Sequence, residues 1–239
     1  MLALLYCVPF CSLTVLGAVM ATPSKSFAVI GLGVFGSSVA EELVRFGNYV
    51  LGVDQDEKRV TRLASRLSEA VITDATDQQA LSDLGIGKYD VVVVTVGEDL
   101  EASILCLMNA RALGAKEIWV KANSRTHHRI LAKLGADRIV HPEEEYGQHI
   151  AQMLHNPLVK DYVKLGNGFH VFNIEVSSRS DGKKLSAFEL EKFELRALGV
   201  MRGSKYVTLT DGEAELKADD LLLVLGRRVD LRRFTNSLQ

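Results

Sequence analysis

Between Phe27 and His141, short β-branched runs alternate with segments of helical period through six strands, and few folds accommodate that pattern. The strand-like runs are FAVIG, YVLGVD, EAVIT, YDVVVVTV, EIWVKA and RIVH. The helical ones are VAEELVRFG, EKRVTRLASRL, QALSDLG, LEASILCLMNARALG and HHRILAKLG. The unbroken run VVVV at 91–94 has no polar face, which predicts a strand covered on both sides, as in a parallel sheet between two layers of helices. Right-handed crossovers then predict a doubly wound α/β fold. Two near-copies, Leu113-Gly114-Ala115-Lys116-Glu117-Ile118 and Leu134-Gly135-Ala136-Asp137-Arg138-Ile139, each read as a helix end, a C′ glycine and a strand start.

Within this frame, Gly31-Leu32-Gly33-Val34-Phe35-Gly36 follows the first strand and opens the first helix. The first glycine permits a tight turn, the second lets phosphates approach the backbone, and the third lets helix and strand pack closely. The helix N-terminus then offers free N–H groups to an anion. Asp54 lies 18 residues beyond Gly36, at the end of the second strand, where its carboxylate could accept both hydroxyls of a ribose and would repel a 2′-phosphate. A Rossmann-type nucleotide-binding domain follows, with NADP disfavoured. The next carboxyl-end loops, Asp74-Ala75-Thr76, Val96-Gly97-Glu98 and Lys121-Ala122-Asn123, are each either a ligand contact or a plain turn.

Pro142 to His155 predicts a further helix with Glu143, Glu144 and Glu145 in its first turn, where the helix dipole favours anions, and Asn156-Pro157 ends it. From about Val163 the pattern turns to strands: FHVFNIEV, a polar turn at SSRSDGKK, a short helix capped by the box Ser186-Ala-Phe-Glu189, then ALGVMR, KYVTLT, LLLVLG and a final helix from Val229. The expected organisation is an apolar leader over 1–24, the nucleotide-binding domain over 25–142, a linking helix within 143–160 and a small α+β domain over 161–239.

The charge balance argues against nucleic acid as a partner: 28 basic against 30 acidic side chains leave no cationic surplus to displace counterions. Three cysteines, two of them in the leader, cannot build a disulfide framework and fit a reducing compartment. The leader contains no Asp, Glu, Lys or Arg and is long enough to be scored as membrane-spanning, yet it lacks a basic n-region and carries Pro9 in its middle. Translation from Met20, giving MATPSKSFAVIG, is the expectation.

Enzyme chemistry finds little support among the motifs. No pair of the six histidines has HExxH spacing, and no GxSxG turn appears. Solvated or capping roles are expected for all of the histidines except His127. The rival reading is an NAD-dependent oxidoreductase with a small substrate domain, but the second module offers only His170 and scattered arginines for acid/base and clamping work.

The string FAVIGLGVFGSSVAEEL, with Asp54, TDAT at 73–76, WVKA at 119–122 and LGADRIVHPE at 134–143, resembles the RCK-domain family of regulatory subunits of Ktr and Trk potassium uptake systems. The likeness runs from Phe27 to Gln239. It implies an RCK N-terminal Rossmann domain followed by an RCK C-terminal domain, with no catalytic role. It also implies a homodimer assembling to an octameric ring, cytoplasmic and peripheral on the membrane's inner face beneath a membrane potassium channel subunit. The ligands implied are ATP or ADP, with NAD or NADH in relatives. By residue, the resemblance puts phosphates on Gly31, Leu32, Gly33, Val34, Phe35 and Gly36, ribose on Asp54, and adenine near Asp74 and Ala75. Further contacts fall near Gly97, Glu98, Lys121 and His127. Glu143 matches a family glutamate that stands near the terminal phosphates and a divalent cation, Mg²⁺ or Ca²⁺. Where many members have arginine after the second glycine, this chain has Val34.

Overall fold

The computed structural model describes residues 24–209 and 214–237, so the expected leader lies, apart from Ser24, outside the described residues. The first unit ends at His141 and the second begins at Pro142. In the first, β1 (Ser26–Ile30), β2 (Tyr49–Asp54), β3 (Glu69–Ile72), β4 (Val91–Val94), β5 (Ile118–Lys121) and β6 (Arg138–Val140) form one parallel sheet in the order β3-β2-β1-β4-β5-β6. The order reverses between β1 and β4, whose register pairs Ile30 with Val94. Ligands of open α/β sheets sit outside the carboxyl ends at such a reversal.

The connections α1 (Val34–Arg45), α2 (Glu57–Leu63), α3 (Gln78–Asp83), α4 (Leu100–Ala112) and α5 (Arg125–Lys133) alternate with the strands as the sequence predicts. All four residues of β4 are buried, because apolar clusters cover the sheet on both faces. Helices α4 and α5 both end in Schellman motifs. Gly114, at φ 83, donates to Arg111 O while Ala115 donates to Ala110 O; Gly135, at φ 88, donates to Ala132 O while Ala136 donates to Leu131 O. The two near-copies in the sequence are these two helix stops.

In the second unit α6 (Pro142–His155) precedes β7 (Val159–Gly166), β8 (Phe169–Glu175), β9 (Arg196–Arg202), β10 (Lys205–Val207), β11 (Leu221–Arg227) and α7 (Arg228–Ser237). The strands form an antiparallel sheet ordered β10-β9-β11-β8-β7, and Leu231 and Phe234 of α7 pack in its core with Phe172 and Val224. Strand β7 was not legible as such. Bulges between Val159 and Asp161 and between Lys164 and Gly166 break its alternation, so its buried residues, Val159 and Tyr162, stand three apart.

The capping box at Ser186 does not form. Glu189, at φ 46, separates two short 3-10 turns, Leu185–Phe188 and Leu190–Phe193, and no side chain caps either. The core explains this: Leu185, Leu190 and Leu195 are all buried, and a spacing of five is not helical. Left-handed breaks at Glu189 and Glu194 reset the chain so that each leucine points inward.

Asp220 is 1% exposed and accepts from Arg202 Nε at 2.9 Å and Nη2 at 2.7 Å, and from Lys217 N–H at 2.8 Å. Pairing with Arg202 holds its carboxyl below the usual carboxylate range. Because the folded value is depressed, this stabilisation is complete above the unfolded value of about 3.9 and is lost as pH falls through the folded one. Arg202→Gln therefore should move the acid-unfolding midpoint, followed by far-ultraviolet circular dichroism, to higher pH. An unchanged midpoint would contradict the role of the pair.

Candidate functional site

The glycine turn is held from both sides. Gly31, at φ 94, donates from its N–H to Val53 O at 2.7 Å, while Thr95, just beyond β4, donates from Oγ1 to Gly31 O at 2.6 Å and Ile30 O at 3.1 Å. A Cβ at Gly36 would lie 1.9 Å from Gly31 O and 2.4 Å from Thr95 Oγ1, so only glycine fits there. At Gly33 a Cβ would meet nothing within 4 Å. That is the open side of the turn, where the main chain is free to meet a ligand. Gly33 is the N-cap of α1, which has no side-chain cap and no acid in its first turn, so its N-terminal dipole is not offset by its own side chains.

Asp54 is 7% exposed at the end of β2. Its Oδ2 accepts from the Leu32 N–H at 2.6 Å, its Oδ1 accepts from the Asp56 N–H at 2.9 Å, and Arg59 Nη1 stands 3.4 Å from Oδ2. Sequence reasoning missed this clamp: the carboxylate first holds the turn itself. A carboxylate has about four acceptor positions, so these donors leave roughly one for a ribose hydroxyl.

The other expected residues lie along the same sheet edge. Thr73 donates to Asp54 O at 3.1 Å, bringing the β3 loop beside β2. Asp74 Oδ1 accepts from Thr76 N–H at 2.9 Å and Thr76 Oγ1 at 2.7 Å, which holds its carboxyl low, and Ala75 is buried beside it. Past β4 and β5, Gly97 O accepts from Asn123 Nδ2, and the Lys121 side chain passes beside Gly97 with Nζ 5.9 Å from the Phe35 ring centre. Asn123 Oδ1 is 3.0 Å from His127 Nδ1. His127 is 1% exposed, its Nε2 has no hydrogen-bond partner, and burial, with His141 adding to it, pushes its pKa down. Val34 and Glu98 are exposed, Val34 at 88%. Glu143 opens α6 and belongs to the second unit.

His170, which the oxidoreductase reading would need, is 7% exposed, with Nδ1 3.1 Å from Gly168 O and its ring stacked on Phe172 at 5.4 Å. It is a core histidine. Among the described residues no group of three or more His, Cys, Asp or Glu is placed to hold a metal, and no helix is long and apolar enough to cross a membrane.

Fold and site define a two-unit protein whose first unit is a Rossmann-type sheet with an open glycine turn at its carboxyl edge. Residues 27–142 match the TrkA-N domain family and residues 169–239 the TrkA-C domain family. The Ktr system potassium uptake protein A of Vibrio alginolyticus is 38% identical over 220 residues, covering 92% of this chain and 100% of the relative. Protein A of the same system in Bacillus subtilis (strain 168) is 36% identical over 214 residues, covering 89% and 96%. Among solved structures the GsuK channel superposes with a TM-score of 0.61 at 15% identity, and the GsuK channel bound to NAD with 0.57 at 16%. Both cover 88% of this chain and 38% of the channel chain, a likeness of fold. The chain belongs to the Ktr system potassium uptake protein A family.

The two glycines predict opposite phenotypes. Gly36→Ala should lower stability by about 1–3 kcal/mol through overpacking. Gly33→Val should melt within a few degrees of the parent, yet bind ADP at least tenfold more weakly. Denaturant unfolding and ADP titration of both variants check this. For Asp54→Ala, two amides lose their partner, so unfolding free energy should fall by about 1–3 kcal/mol. ADP and NAD affinities should fall together.

Proposed function

We propose that this chain is the nucleotide-binding regulatory subunit of a potassium uptake system, acting from the cytoplasmic face on a membrane channel subunit. The observation that carries the reading is the glycine turn, open at Gly33 and clamped by Asp54, in a chain that aligns with the whole of a Ktr system potassium uptake protein A. The class of ligand is an adenine nucleotide, ATP or ADP, with NAD or NADH as a further candidate. The turn and the α1 N-terminus would take the phosphates. The remaining acceptor position of Asp54 would take the ribose, the Asp74-Ala75 loop the adenine, and Gly97, Glu98, Lys121 and His127 the far side.

Regulation of this kind needs a ligand that binds two conformations unequally, since equal affinity shifts nothing. The assembly proposed is a homodimer-based octameric ring, in which ATP and ADP differ at their terminal phosphates. Val34 puts an exposed apolar side chain on the first turn of α1 and adds no cation for those phosphates. Discrimination would then fall to Glu143. One carboxylate cannot hold Mg²⁺ or Ca²⁺ alone, so the shell would be completed by phosphate oxygens and a second subunit.

Titrating ATP, ADP, NAD and NADH against the purified protein, with its mass in solution recorded, tests the ligand and the assembly. The expected outcome is adenine-nucleotide binding by a species heavier than a monomer, with Mg²⁺ or Ca²⁺ raising ATP affinity in the parent but not in Glu143→Gln. Loss of potassium uptake on deletion of the gene tests the role. Absence of nucleotide binding, or uptake unchanged by deletion, would refute it.

A further inference from the structure

A second charged site lies in the second unit and is lined by none of the residues assigned to the nucleotide. The end of α6 and the outer side of α7 enclose a groove of about 920 Å³, lined by Arg228, Arg232 and Arg233 with His155 and by the amides of Gln152 and Asn236. No aspartate or glutamate lines it. Three guanidiniums along one helix repel one another, and a groove walled by them concentrates the positive field. The acid nearest in sequence, Asp230, is buried, and its ion pair among the described residues is with Arg233, at 3.7 Å. Arg232 makes no ion pair with any described residue.

The floor of the groove is built. Asn156 and Thr235, 8% and 2% exposed, are joined by a hydrogen bond from Asn156 Nδ2 to Thr235 Oγ1 at 2.9 Å, which fixes the end of α6 to α7. Arg228 is held as well: its Nη2 donates to the Tyr162 hydroxyl at 2.9 Å and its guanidinium lies 5.1 Å from the centre of that ring. The Nε of the same guanidinium is buried without an acceptor. That atom is closed off from the groove, so Arg228 contributes to it as a fixed positive charge.

We propose that this groove binds a small phosphate-bearing anion, independently of the nucleotide at the glycine turn. Planar guanidiniums pair with phosphate oxygens two at a time, and three of them with a histidine suit more than one negative charge. The lining carries no Phe, Tyr or Trp ring and only the imidazole of His155 on which a base could stack, which favours a compact ligand such as a di- or polyphosphate over a nucleoside. Because the floor and Arg228 are already ordered, binding requires ordering only Arg232 and Arg233.

The test uses pyrophosphate as the probe, with citrate as a phosphate-free anion of comparable charge, titrated calorimetrically into the full-length protein. To separate the groove from the glycine turn, the titration is run on the parent, on Gly33→Val and on Gly33→Val carrying Arg232→Gln and Arg233→Gln. Both arginines are exposed, and because Arg233→Gln also removes the ion pair to buried Asp230, the fold of the variant is checked by circular dichroism beside the titration. The expected result is pyrophosphate binding that persists in Gly33→Val, falls at least tenfold when the two arginines are replaced, and exceeds citrate binding. Three results would each overturn the proposal: no pyrophosphate binding, binding abolished by Gly33→Val alone, or binding unchanged by the arginine substitutions. Citrate bound as tightly as pyrophosphate would overturn the assignment to phosphate.

Discussion

The 2.6 Å hydrogen bond from the Leu32 N–H to Asp54 joins the glycine turn to the neighbouring strand inside the protein, where no water competes for it. With the Thr95 hydroxyl holding Gly31 and Ile30 from the other side, three adjacent strands, β2, β1 and β4, fix one short loop. A loop fixed this way presents the N-terminus of α1 in one orientation before any ligand arrives, so binding does not have to supply the ordering free energy. The geometry also explains the three glycines separately. Gly31 needs its positive φ, Gly36 has no room for a methyl group, and Gly33 leaves the approach open.

The second unit is organised by a different device. The His149 ring lies 5.8 Å from that of Tyr146 and 4.6 Å from that of Tyr162, and its Nε2 is 3.0 Å from Asp161 Oδ1, so α6 is fastened to β7 by ring stacking and a polar contact. Tyr162 continues the stack to His170 and Phe172 inside the sheet. The chain therefore leaves β6 at His141 and enters at Pro142 a helix whose contacts are those of the second unit.

What could be read from the sequence divides along physical lines. The six parallel strands follow from patterns local to each segment, namely β-branched runs, helix stops at Gly114 and Gly135, and a glycine turn whose every glycine has its own steric reason, whereas their order in the sheet is seen only in the fold. Strand β7 was missed because its bulges remove the period of two that marks a half-buried strand, although Asn167-Gly168 after it is a hairpin signal. The capping box at Ser186 failed because three leucines at spacing five claimed the backbone for the core. Asp54 was read as a candidate site residue from its position at a strand end, but its grip on Leu32 depends on how two loops meet. The groove of arginines likewise exists only once α6 and α7 lie side by side, since Gln152 and Arg232 are far apart in the chain.

The claim on which the rest depends is that the glycine turn is the nucleotide's anchor. Titrating ADP into isotope-labelled protein and following backbone amide resonances measures it directly. The expected result is that the largest shifts fall on Gly33, Val34, Phe35 and Gly36, with Leu32 and Asp56 moving little because their amides stay bonded to Asp54. Shifts confined to the second unit, with the turn amides unmoved at saturating ADP, would contradict it.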